Sequence, residues 1–71
     1  MITVSIGRCR IQDILDKKRM SQVDLAVTTG IPKSQISDYI HGRRGISLKN
    51  AKIIAHVLKC TIDDLYEWII E

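Results

Sequence analysis

Short hydrogen-bonding side chains line one side of the segment 32–41 if it is helical, at about 100° per residue. The polar side consists of Ser34, Ser37, Asp38 and His41. The apolar side consists of Pro32, Ile36, Tyr39 and Ile40, with Lys33 and Gln35 at the boundary. Solvated helices more often carry paired long Lys and Glu side chains. This pattern is typical either of an ordinary polar surface or of a helix that approaches a partner closely.

The residue types needed for catalysis or metal binding occur without the required spacing. Cys9 and Cys60 form no CxxC pair, and His41 and His56 lack ligand spacing, so we expect no metal site and no disulfide. No nucleophile motif or glycine-rich phosphate loop occurs, which predicts no catalytic residue, no cofactor and no enzyme activity. We expect reduced thiols in a cytoplasmic protein, with Cys9 on a helix face and partly exposed unless an arm or partner covers it.

The net charge of +3 is unevenly distributed along the chain. Residues 1–60 hold all eleven Lys and Arg and four Asp, a charge of +7, whereas the last eleven residues hold four acidic residues and no basic one, a charge of −4. A basic body favours a polyanionic partner, although many solvated surfaces are similar. No stretch approaches the length of about 18 apolar residues that would span a membrane, and no signal peptide is indicated.

Capping patterns divide the chain into short helices. Ser21 with Asp24, and Thr61 with Asp64, have the spacing of capping boxes, and Ser47 is a third N-cap. Helices are therefore predicted near 8–18, 22–29, 32–41, 48–59 and 62–67. The apolar stripe of the fourth consists of Leu48, Ala51, Ile54, Ala55 and Leu58.

Glycine and proline separate the predicted helices. Gly30 and Gly42 suit the left-handed residue that closes a helix, and Pro32 suits the first turn of the next one.

The two chain ends have strand character. Residues 2–6 alternate apolar and polar side chains and are rich in β-branched residues, and residues 66–70 are the only other segment with strand character. We predict that they pair, within one chain or across a dimer, because an unpaired edge strand is unfavourable. The candidate dimer or arm contacts are Ile2, Val4, Trp68, Ile69 and Ile70.

Residues 20–44, MSQVDLAVTTGIPKSQISDYIHGRR, followed by SLKNAKIIAHVLKCTIDDLY, resemble the XRE or Cro-type (lambda-repressor-like) helix-turn-helix regulators over roughly 8–67. The matching residues include Ser21, Gln22, Leu25, Ala26, Gly30, Ile31, Ile36, Ser37 and Gly42. Pro32 departs from the usual Ser or Thr cap, and Ile40 replaces a frequent glutamate. The resemblance implies that residues 22–41 form the helix-turn-helix, whose second helix enters the DNA major groove.

The resemblance also implies roles for individual residues. Base edges would be contacted by Lys33, Ser34, Ser37 and Asp38, although Asp38 is equally suited to a surface ion pair with Arg43 or Lys33. The DNA backbone would be contacted by Gln22, Gln35, His41, Arg43, Arg44 and Lys49. The implied partner is double-stranded DNA, bound by a homodimer, with any protein effector unknown.

The sequence thus predicts an all-α domain of five helices over residues 1–71, with short pairing β segments at its ends. Its parts would be an arm at 1–7, the helix-turn-helix at 22–41 and an apolar tail at 66–71. The predicted function is transcriptional regulation, as a repressor, in a bacterial or phage-encoded setting. The alternative is a protein-binding module on the same fold, such as an antitoxin-like or antirepressor-regulated partner, which the apolar tail would favour.

Overall fold

The computed structural model describes all 71 residues, and the fold is mostly helical with a two-stranded sheet formed by the chain ends. The elements in chain order are β1 (Val4–Cys9), α1 (Ile11–Lys18), α2 (Gln22–Thr29), α3 (Lys33–Ile40), α4 (Leu48–Leu58), a 3-10 turn (Ile62–Leu65) and β2 (Tyr66–Ile70).

All four helices and the 3-10 turn contribute side chains to one apolar core. Its fully buried large side chains are Ile11, Leu15, Leu25, Ile36, Tyr39, Ile54, Leu58 and Leu65. No polar or charged residue is buried in this core, and the Tyr39 hydroxyl is the only side-chain oxygen among the core residues. Burial of apolar surface is therefore the main contribution of the core to stability. The core holds α3 against the other helices by its inner face alone, and the opposite face of α3 stays outside.

The predicted capping boxes are present at two helix starts. The Asp24 amide donates to Ser21 Oγ, and the Ser21 amide donates back to Asp24 Oδ2, both at 3.0 Å. At the 3-10 turn the Thr61 amide donates to Asp64 Oδ2 at 2.9 Å. These backbone donors hold the pKa of both carboxyl groups below its usual value, so their contribution to stability is present at neutral pH and lost as the pH falls through the lowered pKa.

Replacing Ser21 with alanine is expected to lower the free energy of unfolding by about 0.5–2 kcal/mol, because the Asp24 amide at the start of α2 loses Ser21 Oγ as its acceptor. A thermal melt followed by circular dichroism should show the midpoint fall by roughly 4–8 °C for each kcal/mol. Ser34→Ala is the matched control, since the Ser34 side chain is exposed and forms no hydrogen bond. An equal change in the two variants would contradict the capping role of Ser21.

The chain ends pair as an antiparallel ribbon within one chain. Val4 lies opposite Ile70, Ser5 opposite Ile69, and Ile6 opposite Trp68. The register then shifts between Ile6 and Cys9, which marks a bulge around Gly7. A Cβ at Gly7 would lie 3.1 Å from Glu67 Cβ and 3.2 Å from the Glu67 carbonyl oxygen, so the bulge depends on the absence of a side chain there.

Four predicted features differ in the structure. The fifth helix is a 3-10 turn, so there are four α-helices rather than five, and residues 66–67 belong to β2. The first helix begins at Ile11 rather than residue 8, because the chain up to Cys9 remains paired with β2. Cys9 is consequently buried at 7 % exposure rather than displayed on a helix face. Leu48 is 76 % exposed rather than in the core, because it opens α4 beyond the core helices.

Candidate nucleic-acid interface

The turn between α2 and α3 sets the angle at which α3 leaves the body. Gly30 closes α2 with φ 76°, a conformation that favours glycine, and its amide donates to the Ala26 carbonyl at 2.9 Å. The next amide, of Ile31, donates to Thr29 Oγ1 at 3.2 Å, while the Ile31 side chain is buried. Pro32 precedes α3 as its N-cap residue instead of lying in its first turn. This short, anchored turn produces a helix-turn-helix arrangement.

The inner face of α3 is held by packing and by one buried hydroxyl. Ile36 and Tyr39 are buried, at 0 % and 1 % exposure. Tyr39 Oη accepts a hydrogen bond from Asn50 Nδ2 of α4 at 3.0 Å and another from Gln35 Nε2. The Tyr39–Asn50 bond joins α3 to α4. Asn50 was not predicted from the sequence, because its partner Tyr39 is eleven residues away and no short-range sequence pattern indicates the contact.

The outer face of α3 consists of the four residues predicted to contact bases. Lys33 and Ser34 are exposed, and Ser37 and Asp38 are half-buried. Neither Lys33 nor Ser34 forms an intramolecular side-chain hydrogen bond or ion pair. Their donors and acceptors are therefore available to an external partner. The structure brings all four side chains onto one helix of eight residues, less than three turns long.

Asp38 is paired with the first arginine after α3. Arg43 Nε donates to Asp38 Oδ1 at 3.0 Å, and the Arg43 amide donates to the Asp38 carbonyl at 2.9 Å. The arginine side chain remains 60 % exposed, which leaves its two terminal nitrogens outside the pair. This is the ion pair that the sequence offered as the alternative role of Asp38. It offsets the charge of a carboxylate that would otherwise repel an anionic partner.

His41 is oriented by the last turn of α3. Its Nδ1 lies 2.8 Å from the Ser37 carbonyl oxygen and 3.4 Å from Ser37 Oγ. Since a carbonyl only accepts, Nδ1 carries the hydrogen and Nε2 is the free nitrogen. That nitrogen accepts a hydrogen bond in the neutral ring and donates one only when the ring is protonated.

The side chain at the start of α2 is held by α1. Gln22 Nε2 donates to Gln12 Oε1 at 3.0 Å, and Gln12 Nε2 donates to Asp16 Oδ1 at 2.8 Å. Gln22 was predicted as a DNA contact from the sequence, whereas Gln12, which holds its side chain, was not predicted. The 4-residue spacing of Gln12 and Asp16 on one helix was the available signal.

Most of the basic side chains have no carboxylate partner. Of the eleven Lys and Arg, only Arg8 and Arg43 lie within 4.0 Å of an acidic group. Arg44, just beyond α3, and Lys49, in the first turn of α4, are both exposed and unpaired. Unpaired cationic side chains around a small polar helix face give this surface a positive potential, which attracts anionic polymers.

The remaining reactive groups form no second site. The Cys9 and Cys60 thiols are free, and burial raises the pKa of both, which keeps them protonated and weakly nucleophilic. No cluster of His, Cys, Asp or Glu has the arrangement of a metal site. No helix combines the length and apolar character needed to cross a membrane.

Comparison with known proteins agrees with this arrangement. Residues 11–65 match the family model described as Helix-turn-helix, and the chain belongs to that family. It is 42 % identical to the SPbeta prophage-derived HTH-type transcriptional regulator YopS of Bacillus subtilis (strain 168), with all of this chain and 97 % of the relative aligned. It is 30 % identical to the SPbeta prophage-derived HTH-type transcriptional regulator YotL of the same strain, over 83 % of this chain and 75 % of the relative.

Proposed function

We propose that this protein is a sequence-specific double-stranded DNA-binding transcriptional regulator that acts as a repressor, with α3 placed in the major groove. The observation that carries the proposal is the outer face of α3, whose side chains are all polar, mostly short and in part free of internal partners. A major groove about 12 Å wide admits an α-helix of this kind. Membership of the helix-turn-helix family and the regulator names of both relatives support the same function.

Base contacts are assigned to the outer face of α3. Lys33 would donate to guanine O6 or N7, and the two serines suit several base edges. Asp38 would accept from a cytosine amino group, with Arg43 remaining as its neighbour and neutralising its charge. The Arg43 terminal nitrogens would then donate to a phosphate from the same ion pair.

The proposed backbone contacts surround this face, and they are Gln22, Gln35, His41, Arg43, Arg44 and Lys49. Three of them act under constraints. His41 directs its Nδ1 hydrogen at the Ser37 carbonyl oxygen, so its Nε2 would donate to a phosphate only in the protonated ring. Gln22 has one amide hydrogen bonded to Gln12, so its second hydrogen is the one available to a phosphate. Gln35 likewise has its amide nitrogen engaged with Tyr39, which leaves one hydrogen for the backbone.

We further infer that residues 1–71 act as one DNA-binding domain that pairs as a homodimer in the cytoplasm of a bacterium, where it is encoded by a phage or prophage. A single domain of this size contacts few base pairs, and two copies on half-sites one helical turn apart increase specificity. The prophage-derived names of both relatives support this setting.

The experiment that tests base contact against backbone contact compares Lys33→Ala with Arg44→Ala. Binding sites are first selected from random duplexes with the unaltered protein. Loss of the Lys33 contact should cost about 1–3 kcal/mol on the selected site and relax selectivity at one base position. Loss of the Arg44 contact should weaken all duplexes alike and reduce the dependence of log K on log salt by about 1.

A salt titration also separates DNA binding from the alternative of a protein-binding module. A complex with six to ten phosphate contacts should lose affinity by roughly a thousandfold or more between about 50 and 200 mM salt. If no selected duplex is retained at low salt, the proposed function is wrong. If Lys33→Ala and Arg44→Ala change selectivity in the same way, DNA binding stands and the assignment of base contacts is wrong.

A further inference from the structure

The sheet has only two strands, so each strand has one edge without a partner. Thr3 and Glu71 exchange both backbone hydrogen bonds, at 2.7 and 2.8 Å. Bonded and non-bonded pairs alternate along an antiparallel ladder, so with the observed register the next bonded pair is Ser5 with Ile69. The amides and carbonyls of Val4 and Ile6 therefore point away from β2, toward the open edge of β1.

The two open edges differ in charge. Residues 2–7, which include most of β1, contain no charged residue and no proline, whereas β2 holds Glu67 and is followed at once by Glu71. Charged side chains and proline are the features by which edge strands avoid pairing with another chain. Residues 2–7 of the β1 edge lack both features, with Arg8 as the first charged residue beyond them, so this part of the edge is suited to a further strand.

One face of the ribbon is apolar and continues onto the body. Val4, Ile6, Trp68 and Ile70 share this face, because directly opposite residues project to the same side. They are 55 %, 59 %, 40 % and 70 % exposed. At the base of this face is a cleft of about 170 Å³ lined only by hydrophobic residues, Leu48 and Ile46 among them. Such a continuous apolar surface is typical of an interface.

We propose that the β1 edge pairs with the β1 edge of a second copy of this chain, which joins two ribbons into one four-stranded sheet. This inference deepens the proposed homodimer and rests on it. With the two-fold axis at Ser5, Val4 lies opposite the partner subunit's Ile6, and both residues direct their free backbone groups at each other. The register forms four backbone hydrogen bonds, two from each symmetry-related pair.

The same register aligns the apolar faces. Val4 and the partner subunit's Ile6 lie on one side of the new sheet, so the two apolar faces become continuous. The side chains where the two faces meet are then partly buried against each other. The equivalent arrangement of two β2 edges, centred on Ile69, would place Glu67 opposite the partner subunit's Glu71. Like charges directly opposite each other destabilise a strand pair, so the β1 edge is favoured.

Two proline substitutions test which edge is used. Val4 and Ile70 form one cross-strand pair, and both amides point outward, so Val4→Pro removes a donor from the β1 edge and Ile70→Pro removes one from the β2 edge. Proline at an outward amide of an edge strand is compatible with the strand itself. The dimer dissociation constant is measured by sedimentation equilibrium without DNA, and folding is monitored by circular dichroism and Trp68 fluorescence.

We expect the unaltered protein and Ile70→Pro to dimerise, and Val4→Pro to dimerise at least tenfold more weakly, because two symmetry-related hydrogen bonds are lost. Weakening by Ile70→Pro alone would overturn the assignment in favour of β2. If both proline variants dimerise equally weakly, the interface is a stack of the apolar faces. If both dimerise as tightly as the unaltered protein, the interface lies elsewhere. Either result overturns edge pairing.

An unaltered protein with a dissociation constant weaker than about 100 µM would overturn the self-association itself. DNA retention of Val4→Pro, measured in parallel at low salt, tests the proposed function separately, since α3 lies outside the ribbon. Loss of dimerisation with retained weak binding to a half-site supports both proposals.

Discussion

The double variant Ser34→Glu/Ser37→Glu is expected to lose more than a hundredfold in affinity for any duplex. Both side chains lie on the outer face of α3, so the new carboxylates would be directed at the negatively charged groove. Placing like charges together in an interface costs several kcal/mol, and each 1.4 kcal/mol corresponds to about a factor of ten. A gel-shift titration at low salt, against the site selected with the unaltered protein, measures the loss.

The matched control for this prediction is Lys18→Gln/Lys59→Gln. It lowers the net charge by the same two units, but its residues lie at the ends of α1 and α4 instead of on α3. We expect only a modest, salt-dependent loss from the control and an unchanged circular dichroism spectrum for both proteins. Equal losses in the two double variants would mean that net charge, and not the outer face of α3, determines binding.

The helical body was predictable because its signals are local. Ser21 and Asp24 are three residues apart, and the two hydrogen bonds between them define the start of α2 at the predicted residue. The same holds for Ser47, whose Oγ accepts from the Asn50 amide at the start of α4. A cap depends on neighbouring residues only, so the sequence contains all the information needed to place it.

The ends of the chain were predicted less well because their structure depends on distant partners. Arg8 and Cys9 have neighbours compatible with helix, but Cys9 lies opposite Tyr66, 57 positions later in the chain, and the Arg10 amide donates to the Leu65 carbonyl at 2.8 Å. These non-local bonds delay the start of α1 and bury Cys9. Pairing of the two ends was predicted correctly from the alternating pattern of residues 2–6 and the strand character of residues 66–70, whereas the bulge that extends β1 to Cys9 was not predicted.

The family resemblance pointed to the candidate interface residues on α3, and the Asp38–Arg43 pair was among the predicted alternatives, but the partners of Gln22 and Gln35 were not predicted. The 3.6-residue period of a helix is enough to place Ser34 and Ile36 on opposite faces of α3. Gln35 was predicted as a DNA-backbone contact, yet its side-chain amide also donates to the Tyr39 hydroxyl. Such hydroxyl contacts depend on side-chain rotamers and on the crossing of α3 and α4, neither of which a sequence pattern specifies.

Replacing Ile36 with alanine is expected to have the largest effect on stability. Ile36 is fully buried on the inner face of α3, and truncation of a buried isoleucine costs about 2–5 kcal/mol. A core of this size supplies a net stability of only about 3–5 kcal/mol, so a large fraction of the variant should be unfolded at room temperature. The thermal midpoint should fall by at least about 10 °C, whereas Ile69→Ala, in an exposed ribbon residue, should change it little. A cooperative melt of Ile36→Ala within about 2 °C of the unaltered protein would show that α3 does not depend on this contact for its position.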